Sequence, residues 1–285
     1  MKLSSYLHNR SQYVSLNGIE SRLRTITCGV PQGSILGPLL FLLYVNDLPH
    51  VSERLFTILF ADDTNLFLAG KEMNEIVQNF NHEMRKVSQW MNVNKLSLNI
   101  QKTNYIVFRS KNRKVCEVNL MVIGQVINRV QSTKFLGVII NEYLNWNEHV
   151  NYIRGKIAKG IGLLCKARKV LCQSTLISLY YSFIYPYLNY CVVVWGSTTR
   201  YNINLLLKLQ KRAVRVITFS HYRAHALPLF LNLNLLQFHY IYQMFLFRFM
   251  YKFVSRQLPN VFNNMFRFNS SANTRQRSLL YVPGF

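Results

Sequence analysis

A chain of 285 residues that is 50% hydrophobic and only 16% charged can bury a substantial core, which excludes a disordered polymer. With 34 Lys and Arg against 11 Asp and Glu, its formal charge of +23 is more than a neutral ligand requires; nucleic acid is the leading partner and an anionic membrane the alternative. Five cysteines without a C-x-x-C pair support neither a zinc site nor a disulfide framework, and "MKLSSYLHNRSQ" lacks the apolar core of a secretory signal, so an intracellular setting is expected.

In chain order, residues 1–27 read as a helix end, a tight turn at Asn17-Gly18 and a strand "SRLRTIT". "GVPQGSILGPLLFLLYVNDL" follows as a Gly/Pro-punctuated loop running into an apolar helix from about Leu36 to Leu48. The runs "LFTILF" and "TNLFLAG" are joined by Ala61-Asp62-Asp63 and predict a β-hairpin projecting from a buried sheet. Met73, Ile76, Val77, Phe80, Met84, Val87 and Met91 recur every three or four residues, the period of one amphipathic helix. "KTNYIVF", "EVNLMVIG" and "TKFLGVII" read as strands. From about 148 the pattern is helical, so the fold class is α+β with a mostly α second part. The expected domains are 1–147 and 148–285.

Charge divides at nearly the same place. Residues 1–148 hold 16 Lys and Arg against all 11 acids, a net +5, whereas 149–285 hold 18 Lys and Arg and no acid, a net +18. Residues 170–199 carry no charge and are long enough to span a bilayer, but Gln173, Asn189 and Pro186 favour a buried helix pair broken near the proline. In "LLLKLQKRAVRVI", Lys208, Lys211, Arg212 and Arg215 fall at i, i+3, i+4 and i+7, on one face of a helix. Without an acid in this half to pair with, that stripe is expected to face phosphates, joined by Arg154, Lys156, Lys159, Lys166, Arg168 and Lys169. The many tyrosines and phenylalanines at helical spacing read mainly as core, and the tail "NSSANTRQRSLLYVPGF" has little pattern.

Asp62-Asp63 is the chemical centre of the reading. Adjacent aspartates are often solvated turn residues. Here apolar runs flank them in a strongly basic chain, so their position is fixed and solubility does not require them. Hard Mg²⁺ takes carboxylate and phosphate oxygens, and two such ions can clamp the attacking and leaving oxygens of a phosphoryl transfer.

"GVPQGSILGPLLFLLYVNDLP" followed by "FADD" resembles the reverse transcriptases of non-LTR retrotransposons, the LINE and jockey-like elements. "KLSLNIQKTNYIVF" is similar to the family's motif D and "FLGV" to motif E, while "LYYSFIYPYLNYCVVVWGSTT" and "LQKRAVRVIT" look like its thumb region. The resemblance implies the later part of a right-hand polymerase palm followed by a helical thumb. It makes Asp62 a ligand of both catalytic metals and Asp63 its less directly bound partner. Pro31, Gln32, Gly33 and Ser34, with Phe60 and Ala61, would line the nucleotide and template pocket. Lys102 would neutralise or protonate pyrophosphate, and Phe135, Leu136 and Gly137 would form the primer grip. Asp47 reads as a structural acid at a helix end. Mg²⁺, with Mn²⁺ as a substitute, RNA template, DNA primer and deoxynucleotides are the implied cofactor and partners; a nuclear or cytoplasmic setting is expected, with no stable protein partner.

The family pattern also has an aspartate in a phrase resembling "DFSKAFD" ahead of motif B. Only 28 residues precede Gly29 here, and Glu20 is their only acid. The expectation is an N-terminally truncated polymerase, without fingers, that does not polymerise alone. A non-catalytic RNA- or DNA-binding remnant is the alternative, and a membrane-associated basic protein the third reading.

Overall fold

The structure is a computed structural model that describes residues 6–27, 29–31, 33–113, 118–263, 265–268 and 280–281, with 267–268 and 280–281 as backbone only. It mixes helices with small, mostly antiparallel two-stranded sheets, an α+β fold. The described residues fall into two compact units. One is drawn from 1–105 and 114–129, the other from 106–113 and 130–285. Residues 106–113 and 130–147, assigned by sequence pattern to the first domain, therefore cluster with the helical half.

In the first unit the expected tight turn is present. Ser15–Leu16 pairs with Ile19–Glu20 across Asn17 and Gly18, whose φ values of 52° and 80° are the two positive angles of a type I′ turn. The apolar helix α1 spans Leu36–Tyr44, and the chain then tightens into a 3₁₀ turn at Leu48–His50, where Pro49 cannot continue an α-helix. Strands β1 (Phe56–Phe60) and β2 (Asp63–Phe67) pair antiparallel, and helix α2 covers Met73–Val93. The α2 stripe does what its period requires: Met84, Val87 and Met91 are buried with Leu48, Leu55, Leu120, Val122 and Ile127, and Leu59 and Leu66 of the hairpin pack against the cluster.

Strand expectations beyond the hairpin fared less evenly. "KTNYIVF" contributes only Asn104–Tyr105, paired parallel with Asn128–Arg129. In "EVNLMVIG", β3 (Met121–Val122) turns back on β4 (Gln125–Val126). "TKFLGVII" is not one strand but a hairpin of β5 (Ser132–Phe135) and β6 (Val138–Asn141), bent at Leu136 and Gly137 with φ of 43° and 89°.

The second unit is built on helices α3 (Asn147–Ala167), α4 (Gln173–Phe183), α5 (Tyr185–Asn189), α6 (Val192–Trp195), α7 (Arg200–Ile217), α8 (Ala226–Asn232) and α9 (Phe238–Val254). The uncharged stretch 170–199 is thus three short helices, interrupted at Ile184 (φ −120°, ψ −54°) just before Pro186. Among the described residues no helix is long and apolar enough to cross a membrane. Gly160 admits the close approach of α3 to the end of α4, since a Cβ there would lie 2.9 Å from the Phe183 carbonyl oxygen.

The core of this unit runs from Val150, Ile153 and Ile157 through Leu176, Trp195 and Leu206 to Phe238 and Ile241, with the Trp195 and Phe238 rings stacked 5.4 Å apart. One buried polar group sits inside it. Gln210 Nε2 donates to Tyr180 Oη (3.0 Å) and to the Leu236 carbonyl (3.2 Å), while its Oε1 accepts the Phe238 amide N–H at 2.7 Å. Every amide function is satisfied, so a fully buried glutamine ties three helices together at no desolvation deficit. Arg109 explains why 106–113 joins this unit. Its side chain meets the buried Glu142 carboxylate at 3.2 and 3.3 Å and donates to Tyr143 Oη at 2.9 Å.

Candidate active site and nucleic-acid surface

The β1–β2 hairpin positions the aspartate pair. Its register pairs Phe60 with Asp63, so the connection is a two-residue turn of Ala61 and Asp62, and Asp63 is the first residue of β2. Ala61 holds φ at 52°, a conformation that favours glycine. By the alternation of the strands, Leu59 and Leu66 face the core while Asp63 shares the other face with Phe60 and Phe56. That second face is not covered: Phe56 and Phe60 are 62% and 61% exposed, so the expected buried sheet is covered on one side only. Both carboxylates are exposed, and among the described residues neither enters an ion pair.

Pro31, Gly33 and Ser34 belong to one four-residue turn, closed by the Ser34 amide donating to the Pro31 carbonyl at 3.2 Å. Gln32 lies outside the described residues. Gly33 has φ 81°, the angle a type II turn needs at its third position, and no neighbouring atom would obstruct a Cβ there. Backbone conformation within the chain is thus sufficient reason for glycine. Ser34 Oγ then accepts the Gly37 amide N–H (3.0 Å) at the start of α1, as well as the Tyr6 hydroxyl at 2.6 Å. Lys102 is exposed in a short 3₁₀ turn, its backbone N–H held by Asn99 Oδ1 at 3.2 Å. Asp47 accepts Trp90 Nε1–H at 3.0 Å, which ties the loop after α1 to α2 and fits the structural role expected for it.

The other site candidates lie in the second unit. Phe135 ends β5, and Leu136-Gly137 make the β5–β6 turn. A clamp from 54 residues away fixes this turn: Tyr190 Oη donates to the Leu136 carbonyl at 2.6 Å, and its ring edge lies where a Gly137 Cβ would come within 3.1 Å. No local pattern announces that contact. On α7, Lys208 and Arg212 are exposed and Lys211 half-buried, as the stripe requires. Arg215 is half-buried, and its Nε donates to the Ala224 carbonyl at 2.8 Å, so part of its guanidinium holds the loop after α7. Tyr201, Asn204, Leu205, Leu207, Lys208 and Lys211 together line a shallow cleft along this helix. Lys156 lies over the Tyr152 ring and Arg168 over the Phe219 ring, while Lys159, Lys166 and Lys169 are exposed.

Among the described residues no three His, Cys, Asp or Glu side chains gather into a metal-binding group. Asp62 and Asp63 offer oxygen donors alone, which suits a hard divalent ion, but they fill only part of its coordination. The donor set therefore fits a share of a metal site.

Residues 1–140 match the family model of the reverse transcriptases, the RNA-dependent DNA polymerases. Residues 1–140 belong to the reverse transcriptase family. The chain's relatives are polymerases of non-LTR elements. It is 27% identical over 227 residues to the RNA-directed DNA polymerase from mobile element jockey of Drosophila melanogaster, covering 76% of this chain and 24% of that protein. The probable RNA-directed DNA polymerase from transposon X-element of the same fly is 28% identical over 224 residues, with the same coverage. A Pol polyprotein from the type-1 retrotransposable element R1 of Bradysia coprophila is 27% identical over 223 residues, 74% of this chain and 21% of that protein. Alignments of this length cannot fit within residues 1–140, so the likeness to the reverse transcriptases runs on into the helical unit. The chain spans about a quarter of the length of the curated relatives it matches. No solved structure matches.

Proposed function

We propose that these 285 residues form the later palm and the thumb of an RNA-directed DNA polymerase, with the Asp62-Asp63 turn as their contribution to a two-metal site. The observation that carries the reading is the pair itself: two adjacent carboxylates, exposed at a hairpin tip and free of ion pairs among the described residues, in a chain of charge +23. Bound Mg²⁺ would supply charge neutralisation at the transferred phosphate and activation of a primer 3′-OH. Asp62 would hold the ion, with Asp63 beside it as the less directly engaged partner. The turn of Pro31, Gln32, Gly33 and Ser34, with Phe60 and Ala61, would receive the nucleotide against the template base. Lys102 would meet the departing pyrophosphate, and Phe135, Leu136 and Gly137 would hold the primer end, their turn kept rigid by Tyr190. Lys208, Lys211, Arg212 and the free part of Arg215 would track the phosphates of an RNA–DNA duplex without reading sequence.

No third carboxylate joins the pair among the described residues. This supports the further reading that residues 1–285 alone bind a primed template but do not extend it. Purified protein incubated with RNA template, DNA primer, deoxynucleotides and Mg²⁺ gives retained primer of unchanged length on this account. Measurable extension contradicts the incompleteness, and absence of any binding contradicts the polymerase reading. The second reading, a nucleic-acid-binding module without chemistry, is favoured by the same missing carboxylate. It parts from the first at Asp62→Asn, which leaves Mn²⁺ binding unchanged if the pair is an ordinary turn and abolishes it if the pair is an anchor.

A further inference from the structure

Many aromatic side chains of the helical unit, Tyr190, Tyr201, Phe219 and Tyr222 among them, are exposed where their spacing predicts core, and one helix carries such residues in a row. On α9, Tyr240 is 51% exposed, Met244 41%, Phe247 69%, Tyr251 67% and Val254 56%. At about 100° per residue these five positions fall within roughly 80° of the helix circumference. Arg248 and Lys252, one residue beyond Phe247 and Tyr251, run along one edge of the row, and among the described residues neither forms an ion pair. The buried side of the same helix, through Phe238, Ile241 and Phe253, is already used by the core.

We infer that this outer face of α9 is a platform for single-stranded nucleic acid, bases stacking on Tyr240, Phe247 and Tyr251 while Arg248 and Lys252 hold the phosphates. The inference rests on the nucleic-acid reading proposed above and adds to it a site and a strand preference. Charge selects the occupant. From residue 149 onward the sequence carries 18 Lys and Arg and no acid, so a second copy of this face meets like charge, whereas a polyanion meets its complement. Length argues the same way, because the row covers about two heptads and a self-standing helix pair needs three or four. Rings fit bases: from Tyr240 to Tyr251 the helix rises roughly 16 Å, the span of a few nucleotides, and every base offers a π-face to stack without regard to sequence.

The test uses residues 1–285 with two labelled ligands, an oligouridine and a blunt RNA–DNA duplex, by fluorescence anisotropy across a salt series. The double variant Phe247→Leu/Tyr251→Leu keeps the apolar bulk and removes the rings. It is expected to weaken oligouridine binding by at least about tenfold, with the salt slope and duplex affinity unchanged. Phe247→Tyr/Tyr251→Phe, which keeps both rings, is expected to bind as the parent does. Undiminished oligouridine binding by the leucine variant overturns the inference, and so does an equal loss on both ligands. A parent dimer in sedimentation that the leucine variant dissolves assigns the face to self-association and overturns it as well. If the parent binds neither ligand, the nucleic-acid reading fails first and takes this inference with it. Parent binding to the duplex with no ring effect on the single strand isolates the failure to α9.

Discussion

The two units of this chain bury their hydrophobic residues very differently. The helical unit has a continuous core in which Trp195, Leu206, Phe238 and Ile241 are fully excluded from water. The first unit has a smaller cluster around α2, and leaves Ile35, Leu39, Leu42 and Leu43 near α1 and Phe56 and Phe60 on the hairpin exposed. Yet the two aspartates that motivate the functional reading sit on the less covered unit. The contrast teaches that a two-residue hairpin turn can be fixed by one packed face of its strands, whereas the helices of the second unit are joined through a long, wholly buried core.

Breaking the helical unit should take one substitution. Gln210→Leu leaves the Phe238 amide and the Leu236 carbonyl without their buried partner, and is expected to cost about 2–4 kcal/mol in denaturant unfolding. A loss below about 0.5 kcal/mol would mean that the glutamine is incidental.

Acid should separate the units by pH window. Burial lowers the His149 pKa to about 4, and its Nδ1 accepts the Ile139 amide N–H at 3.3 Å, so the folded state keeps the imidazole neutral. A base whose folded pKa lies below its unfolded value, about 6.5, stabilises the fold fully above that value. As the pH falls from about 6.5 to 4 the unfolded chain gains the proton first, and the helical unit is expected to lose up to about 3 kcal/mol. His149→Gln should flatten that part of the profile.

Glu83 sets the window of the first unit. Hydrogen bonds from Lys86 and then Ser52 hold its carboxyl below the usual glutamate range, with the Lys86 charge acting in the same direction against burial. A carboxylate with a depressed folded pKa stabilises above its unfolded value, near 4.3, and that contribution is lost as the pH falls through the folded one. Hydrogen exchange resolved by residue should therefore show the helical core loosening at a higher pH than α2, and Glu83→Gln should remove the acid step from α2. Simultaneous loosening at one pH contradicts the assignment. The smallest expected effect is Phe60→Ser, on the uncovered face of the hairpin, at within about 0.5 kcal/mol.

Periodicity made α2 legible, because seven apolar residues at helical spacing admit one buried face, and the Asn17-Gly18 turn was legible because few other residues take two positive φ angles. The break at Pro186 followed from a missing amide hydrogen. What the sequence withheld depends on distant partners. Nothing local says that "TKFLGVII" folds back on itself at Leu136-Gly137, where Tyr190 arrives from 54 residues away. Nor does the charge run on α7 reveal that Arg215 spends its Nε on the Ala224 carbonyl, or the aromatic spacing on α9 that one row stays outside. The site itself was half legible: the order of "PQGS", "FADD" and "FLGV" indicated the family, but which side of the hairpin is covered emerges only from packing. The tail from 269 lies mostly outside the described residues.

Iron-directed backbone cleavage tests the central claim most directly. Fe²⁺ replaces Mg²⁺ at carboxylate sites and, with peroxide, cuts the chain beside wherever it binds. With residues 1–285 loaded on a primed RNA template, cleavage is expected at 61–63 and should vanish in Asp62→Asn, with duplex affinity unchanged. Cleavage that is absent from the hairpin tip, or that persists there without the Asp62 carboxylate, contradicts the account.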